Sequence, residues 1–137
     1  MKQSEYYYST DLKVDFDTAL RHTTEALGGE GFGVLSDIDV QDTLKKKLDT
    51  EFRRYRILGA CNPPLAHRGL VEEPDLGVLL PCNFAVYELG PDATRVSAMD
   101  PAAVMKVVDN AQVSPVAEEV ATRIKTVMDA IEIAAKG

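Results

Sequence analysis

The sequence predicts an α+β domain in which an antiparallel sheet carries helices on one face. Segments typical of strands and of helices follow one another in the order strand, helix, strand, helix, strand, helix, hairpin, helix. Residues 54–60 alternate between two faces, as expected for a strand with one open side. Gly90-Pro91-Asp92 is a turn sequence, so the strands that flank it are expected to pair as an antiparallel hairpin.

The first half of the chain predicts two strands that are each followed by a helix. Residues 6–10 are aromatic and β-branched, as in strands, and residues 32–38 form a second strand-like run. Asp15 caps a helix that stops at Gly28-Gly29. Asp39 caps the next helix, in which an apolar residue recurs every fourth position: Val40, Leu44, Leu48 and Phe52.

The middle of the chain predicts a third strand, a short helix and a long apolar strand. Residues 54–60 form the strand, Cys61-Asn62 ends it, and Pro63-Pro64 suits the first turn of a helix. The predicted strand 76–89 is interrupted by Pro81-Cys82-Asn83. Because proline cannot donate a hydrogen bond to a sheet, we expect a bend or bulge at that point.

The last part of the chain predicts a strand and two helices. Residues 94–99 pair back on the preceding strand, and Asp100-Pro101 begins a short helix. Ser114-Pro115 is expected to cap a long final helix. The apolar residues of that helix form one broad stripe, which predicts core packing: Val116, Val120, Ile124, Val127, Met128 and Ile131.

Length and composition indicate one globular domain, residues 1–137, with no nucleic-acid partner. The chain is 45% hydrophobic and carries a net charge of −7, whereas a phosphate-backbone binder usually presents a basic face. No apolar run approaches a membrane span, and the N-terminal segment lacks the apolar stretch of a signal peptide. We therefore expect a cytoplasmic protein that does not bind membranes and keeps its two cysteines as thiols.

Several polar or sulfur-bearing residues lie at the ends or interruptions of the apolar strands. Such positions often carry function, because loops hold side chains beside a rigid sheet. Cys61 also precedes a helix N-terminus, which attracts anions and lowers the pKa of a nearby thiol. The candidate ligand-binding residues are Cys61, Asn62, Cys82, Asn83 and Asp100.

These residues also have structural interpretations. Cys82 shares strand parity with Phe84, so it would face the core and act as a small hydrophobe. Asn83 can satisfy backbone groups freed by a bend, and Asp100 can cap a helix. The sequence alone leaves both interpretations open.

Thiol or metal chemistry is an alternative that the cysteines raise. Two thiolates and an imidazole would suit zinc or copper(I), and His67 lies between the cysteines in the chain. The spacing of Cys61, His67 and Cys82 matches no standard zinc motif, however, and we assign no metal site. No carboxylate pair, nucleophile elbow or phosphate loop is visible, so neither a catalytic set nor a cofactor is predicted.

Four segments resemble the family described as domain of unknown function 302. They read GFGVLSDIDVQDTLKKKL, YRILGACNPPLAHRGL, LGVLLPCNFAVYE and VSAMDP. The resemblance covers nearly the whole chain and implies a curved antiparallel sheet, similar in class to TATA-binding-protein-like folds, and a homodimer. It transfers no catalytic residue. The signature positions are Gly59, Cys61, Asn62, Pro63, Leu80, Pro81, Cys82, Asn83, Asp100 and Pro101.

Three functions therefore remain open, and none of them favours an enzyme. The leading hypothesis is a small-ligand or sensor domain that binds a small molecule or an anion near the two Cys-Asn motifs. The second is a thiol-redox or soft-metal protein that uses Cys61 and Cys82. The third is a structural or interaction module without a small-molecule site.

Overall fold

A six-stranded antiparallel sheet forms the centre of the molecule in the computed structural model, which describes residues Met1–Gly137. The strands are β1 (Lys2–Gln3), β2 (Tyr7–Leu12), β3 (Gly33–Asp39), β4 (Tyr55–Cys61), β5 (Cys82–Gly90) and β6 (Ala93–Met99). They lie in the order β1-β2-β6-β5-β4-β3, and every neighbouring pair is antiparallel. The predicted α+β fold, with its β5–β6 hairpin, is confirmed.

Helices connect the strands and form the core with them. The α-helices are α1 (Phe16–Gly29), α2 (Val40–Leu48), α3 (Pro63–Glu72), α4 (Pro101–Val104) and α5 (Ser114–Lys136). Two 3₁₀ helices span Pro74–Leu79 and Met105–Val108. None of the helices combines the length and the apolar character that a bilayer-crossing segment requires.

One face of the sheet packs against α1 and α5 and forms the main core. Alternate residues of the central strands point into it, so Phe84, Val86 and Val96 are completely buried. Asp15 caps α1 as predicted, because its carboxylate accepts a hydrogen bond from the Thr18 N–H at 3.2 Å. The second half of α5 contributes its predicted stripe to the same core: Ile124, Val127, Met128 and Ile131.

A smaller hydrophobic cluster lies apart from the main core. It consists of Leu76, Met105, Val113 and Ala117. These residues come from the two 3₁₀ helices and from the N-terminal end of α5. Because α5 is 23 residues long, it supplies side chains to both clusters, one at each end.

The apolar strand predicted to start at Leu76 is shorter than expected. Residues 74–79 form a 3₁₀ helix, and β5 begins only at Cys82. Pro74 suits the first turn of that helix, and Leu76 is buried in the smaller cluster. Leu76, Leu79 and Leu80 are therefore apolar because they pack against the smaller cluster from a helical segment, whereas Val78 is exposed. Pro81, which follows a cis peptide bond, ends this segment immediately before β5.

The predicted apolar stripe of α2 is not buried. The helix ends at Leu48, because Asp49 adopts a left-handed conformation with φ of 51°, and Phe52 lies beyond it. No residue of α2 is buried, and Leu48 is 67% exposed. The periodicity correctly predicts a helix here but not its burial; along the chain, α2 connects the edge strand β3 to β4, at the border of the sheet.

The start of α5 also differs from the prediction in detail. Ser114 is the first helical residue and makes no capping side-chain bond to the helix. The preceding turn is organised by Asn110, whose backbone carbonyl accepts hydrogen bonds from the Val113 and Ser114 N–H groups. Pro115 lies in the first turn of α5, as expected for proline.

Candidate functional site

An apolar cavity of about 280 Å³ lies between the main core and the smaller cluster. It is bounded by the adjoining ends of β4 and β5, by α3, by the Pro74–Leu79 helix and by the N-terminal end of α5. Fifteen of its nineteen lining residues are hydrophobic, and none carries a charge. Large side chains in its walls include Phe32, Leu65, Leu76, Leu80, Met105 and Val116.

The two Cys-Asn segments meet at this cavity because β4 and β5 are neighbouring antiparallel strands. Ala60 lies opposite Cys82 in the register, and Gly59 lies opposite Asn83. A Cβ added to Gly59 would lie 2.6 Å from Cγ of Pro81. Glycine is therefore required where the proline ring of one segment packs on the backbone of the other.

Asn62 borders the cavity but is occupied with structural hydrogen bonds. Its side chain is buried, and its Oδ1 accepts from the Leu65 N–H at 3.4 Å, which caps α3. Its Nδ2 donates to the Glu30 carbonyl at 3.2 Å, a carbonyl that also accepts from Arg123 at 3.3 Å. Asn62 thus ties the start of α3 to the loop between α1 and β3.

Cys61 and Cys82 both border the cavity as free thiols. Cys61 lies one residue beyond Ala60, the partner of Cys82, so the two cysteine α-carbons are roughly 6 Å apart, which is within the range of a disulfide. Both side chains border the same cavity, and the nearness of Cys61 helps to raise the pKa of Cys82, so the two thiols lie close to each other.

The start of α3 does not activate Cys61, contrary to the expectation from sequence. Burial raises the pKa of the Cys61 thiol, and burial together with the nearby Cys61 raises the pKa of Cys82 to about 12. Pro63 and Pro64 have no N–H group, and the Leu65 N–H is taken by Asn62. The helix N-terminus consequently offers no free donor that would stabilise a thiolate, and both thiols remain protonated at neutral pH.

Asn83 lies on the opposite face of the sheet from the cavity. Its side chain is exposed and borders a shallow depression of about 390 Å³, together with Tyr55 and Tyr87. The alternation of strand side chains separates Asn83 from Cys82, its immediate neighbour. The structure therefore does not bring Asn83 together with the cavity-lining candidates.

Asp100 caps α4 and does not line the cavity. Its buried carboxylate accepts hydrogen bonds from the Ala102 N–H at 3.0 Å and from the Ala103 N–H at 3.4 Å. It also lies beside the Tyr8 hydroxyl, where burial and the Asp100 carboxylate raise the pKa of Tyr8 to about 12. The residue that reaches the cavity is the next one, Pro101.

Comparison with known proteins identifies the family of this fold. The model of the family described as "Domain of unknown function DUF302" matches residues 8–131. The chain belongs to the DUF302 family. The DUF302 crystal structure of an uncharacterized conserved protein from Bacillus stearothermophilus is similar, with a TM-score of 0.85 and 26% sequence identity. The match covers 93% of this chain and 99% of that one, and no curated protein matches.

The metal site considered from the sequence is not formed in this DUF302 domain. No three histidine, cysteine, aspartate or glutamate side chains lie together in a way that could hold a metal ion. His67 is exposed on α3 and does not border the cavity with Cys61 and Cys82. The two thiols therefore lack the third ligand that a zinc site would require.

Sequence reasoning missed most of the residues that enclose the DUF302 cavity. Met105, Val113 and Ala117 follow the same apolar patterns as core residues, so nothing in their type distinguishes a cavity wall from packed core. One sequence signal did point to a cavity in this region: several short helices with proline in their first turn follow one another between Pro63 and Pro115. Such short elements cannot all pack onto the sheet face that α1 and α5 already cover.

Proposed function

We propose that this DUF302 domain binds a small molecule in the apolar cavity. The observation that carries the proposal is the cavity itself, about 280 Å³ in a chain of 137 residues and enclosed mainly by hydrophobic side chains. The cavity is partly open to solvent at the exposed side chains of Leu35 and Leu70, and ligand sites are typically concave and mainly apolar in this way. A concave surface with so apolar a lining is unfavourable in contact with water, so it is best explained by a ligand that covers it.

The same geometry supports ligand binding over the alternatives raised by the sequence. Thiol chemistry needs an accessible thiolate, whereas burial keeps Cys61 and Cys82 protonated. A purely structural module would not need the space that lies between the two hydrophobic clusters.

Thermal-shift screening of a small-molecule library tests this function. A ligand at ten times its Kd adds about 1.4 kcal/mol to stability, which raises Tm by roughly 4–6 °C in a domain of this size. Ala117 lines the cavity, so Ala117→Leu should fill part of it and abolish the shifts. Thr122→Leu adds the same side chain at an exposed position of α5 and should preserve them. Equal shifts in both variants would place binding elsewhere.

We also propose that the domain forms a homodimer through the sheet face that points away from α1 and α5. We call this the outer face, with central residues Tyr55, Ile57, Ala85, Tyr87 and Arg95. Its side chains are only half-buried, and the rings of Tyr55 and Tyr87 stack with centroids 5.0 Å apart. Five strands of about five residues form a plane of roughly 400 Å² before side-chain relief, about half the area per partner of a standard protein interface.

The charges and the surroundings of the outer face fit a second copy of the chain. Arg95 is neutralised within the face by Asp11, to which it donates at 2.9 Å, so two copies would not repel each other there. Phe52, which is 41% exposed, extends the apolar surface at one edge, with its ring 6.1 Å from that of Tyr55. A twofold interface uses the same patch on both subunits, so the outer face would have to pack against its own copy.

Sedimentation analysis of the full chain tests the dimer. Ala85→Glu introduces a charge at the centre of the outer face and should shift the protein to monomer, while Thr122→Glu on α5 should leave the dimer intact. A wild-type protein that sediments as a monomer at high micromolar concentration would contradict the proposal.

We further infer a cytoplasmic location. Both cysteines are free thiols, which is the usual state of cysteine in a reducing compartment. Fractionation of cells that express the tagged protein tests this inference, and recovery in a secreted fraction would contradict it.

A further inference from the structure

Resting on the proposed function, we propose that the ligand of the apolar cavity is uncharged, compact and mainly hydrocarbon, about the size of a two-ring aromatic compound. The cavity discriminates against anions of the same size. This class follows from three features of the site: the closed helix N-termini around it, its uncharged walls and its volume.

The first feature is that the helices starting around the cavity offer it few backbone donors. A helix N-terminus normally attracts anions through its free N–H groups. At α3, Pro63 and Pro64 have no N–H, and the Ala66 N–H donates to the Asn62 carbonyl at 2.9 Å. The remaining donor of that turn, the Leu65 N–H, is taken by the Asn62 side chain at 3.4 Å.

The starts of α4 and α5 are closed in the same way. At α4, Pro101 has no N–H, and the Asp100 carboxylate accepts from the next two backbone N–H groups. At α5, Pro115 has no N–H, and the Ser114 and Ala117 N–H groups donate to the carbonyls of Asn110 and Val113. Apart from the Val116 N–H, for which the first turn of α5 offers no acceptor, the donors that could solvate a carboxylate or phosphate are thus already used within the protein.

The second feature is the absence of charge in the walls. The polar side chains on the cavity are those of Asn62 and the two cysteines. Both ends of the Asn62 amide are engaged with the backbone of Leu65 and Glu30. Burial keeps Cys61 and Cys82 in the neutral thiol form by raising their pKa values. An anion would therefore lose its hydration without gaining a compensating partner, which is strongly unfavourable.

The third feature is size. An engineered cavity of about 150 Å³ in another protein binds benzene, and the cavity in this domain has about 280 Å³. Space is left by small wall residues at Ala60, Ala66, Gly77 and Ala117. A two-ring aromatic or a compact branched hydrocarbon fits this volume, whereas a long acyl chain would extend out of it.

Isothermal titration calorimetry with two matched probes tests the ligand class. The probes are 2-naphthalenemethanol, which is uncharged, and 2-naphthoate, which has the same rings and a carboxylate. We expect wild-type protein at pH 7 to bind the alcohol at least tenfold more tightly than the carboxylate. Ala117→Leu and Ala66→Leu fill the cavity from two walls, and each should lower the affinity for the alcohol at least tenfold. Thr122→Leu should leave that affinity unchanged.

The outcomes separate the ligand class from the proposed function. If both probes bind equally tightly and both cavity-filling variants block them, the cavity binds small molecules but the class is wrong. If neither probe binds, or if the filled variants bind as wild type does, the proposed function fails and the class assignment fails with it. Selective binding of the alcohol that both cavity-filling variants abolish supports both.

Discussion

Gly59→Ala is the substitution that most directly tests how the two Cys-Asn segments are joined. Gly59 lies in β4 where the ring of Pro81 crosses the strand. An added methyl group would lie 2.6 Å from Cγ of Pro81 and would overlap the Ser36 hydroxyl. Carbon atoms normally approach to about 3.5–4.0 Å, so the overlap with the proline ring is roughly 1 Å.

The expected cost follows from what must move to accept that methyl group. The Ser36 hydroxyl can rotate away, but the Pro81 ring is part of the backbone and cannot do so without displacing the start of β5. Overpacking of this kind costs about 1–3 kcal/mol, and we expect the upper half of that range because the neighbour is rigid. For a domain of 137 residues this corresponds to a Tm lower by roughly 10 °C.

Urea and thermal unfolding followed by circular dichroism provide the assay. Gly33→Ala is the matched control, because Gly33 also lies in a strand but a Cβ there would meet no atom within 4 Å. It should change the free energy of unfolding by no more than about 0.5 kcal/mol. Adding Pro81→Ala to Gly59→Ala should recover about 1 kcal/mol relative to additivity, since it removes the ring atom in question.

Two results would refute this reasoning. The first is a Gly59→Ala protein as stable as the Gly33→Ala control. The second is a double variant whose destabilisation is the plain sum of its two single variants, which would mean that Gly59 and Pro81 do not interact.

Other predictions concern the buried polar groups. Asn62→Ala removes a helix cap and leaves the Glu30 carbonyl with one donor fewer, so it should lower the free energy of unfolding by about 2 kcal/mol in urea titrations. Asn83→Ala at an exposed position should lower it by less than about 0.5 kcal/mol. Iodoacetamide should alkylate Cys61 at a rate that keeps increasing as pH rises beyond 9. It should modify Cys82 only when the fold opens, so a Cys82 alkylation rate equal to that of a free thiol would contradict the burial of Cys82. Tyr8 has a pKa near 12 when folded and near 10 when unfolded, so its contribution to stability is complete below pH 10 and is lost between about pH 10 and 12. A Tyr8→Phe protein should lack that part of the alkaline loss, and identical alkaline profiles of the two proteins would exclude it.

The order and type of the main elements could be predicted from the sequence because local signals and burial agree in them. Asp15 with Phe16 defines the start of α1, and the turn after Gly90 defines the β5–β6 hairpin. The alternation in residues 54–60 correctly separates the core face from the outer face. In each case the pattern has one structural cause, so its meaning is unambiguous.

The prediction was wrong where one pattern has two possible causes. Leu76, Leu79 and Leu80 are apolar because they pack on the smaller cluster from a 3₁₀ helix and its C-terminal end, and a short apolar run does not distinguish that from a strand. The apolar stripe of α2 is not buried by the rest of the chain. Local periodicity predicts the helix but not whether another element packs on its apolar side.

The candidate site was predicted only in part for a similar reason. Cys61, Asn62 and Cys82 border one cavity, and the doubled Cys-Asn motif correctly points to that region. Strand alternation directs the Asn83 side chain away from the cavity. The Asp100 side chain is engaged as the N-cap of α4. The cavity volume depends on how α3 and the 3₁₀ helices are held away from the sheet, and no residue type encodes that distance.

The division of the interior into two hydrophobic clusters has a consequence for how the domain opens. Cooperative unfolding depends on contacts that link one part of a protein to another, and regions with fewer such contacts open at lower free energy. The cavity separates the two clusters. The segment Pro63–Leu79 is therefore held to the rest of the domain mainly by its packing on the N-terminal end of α5 and by the hydrogen bonds of the Asn62 side chain. Its amide hydrogens should therefore exchange with solvent sooner than those of β5 and β6. A molecule that filled the cavity would join the two clusters into one cooperative unit, so occupancy of the site would be reported by exchange protection throughout the segment that forms its wall.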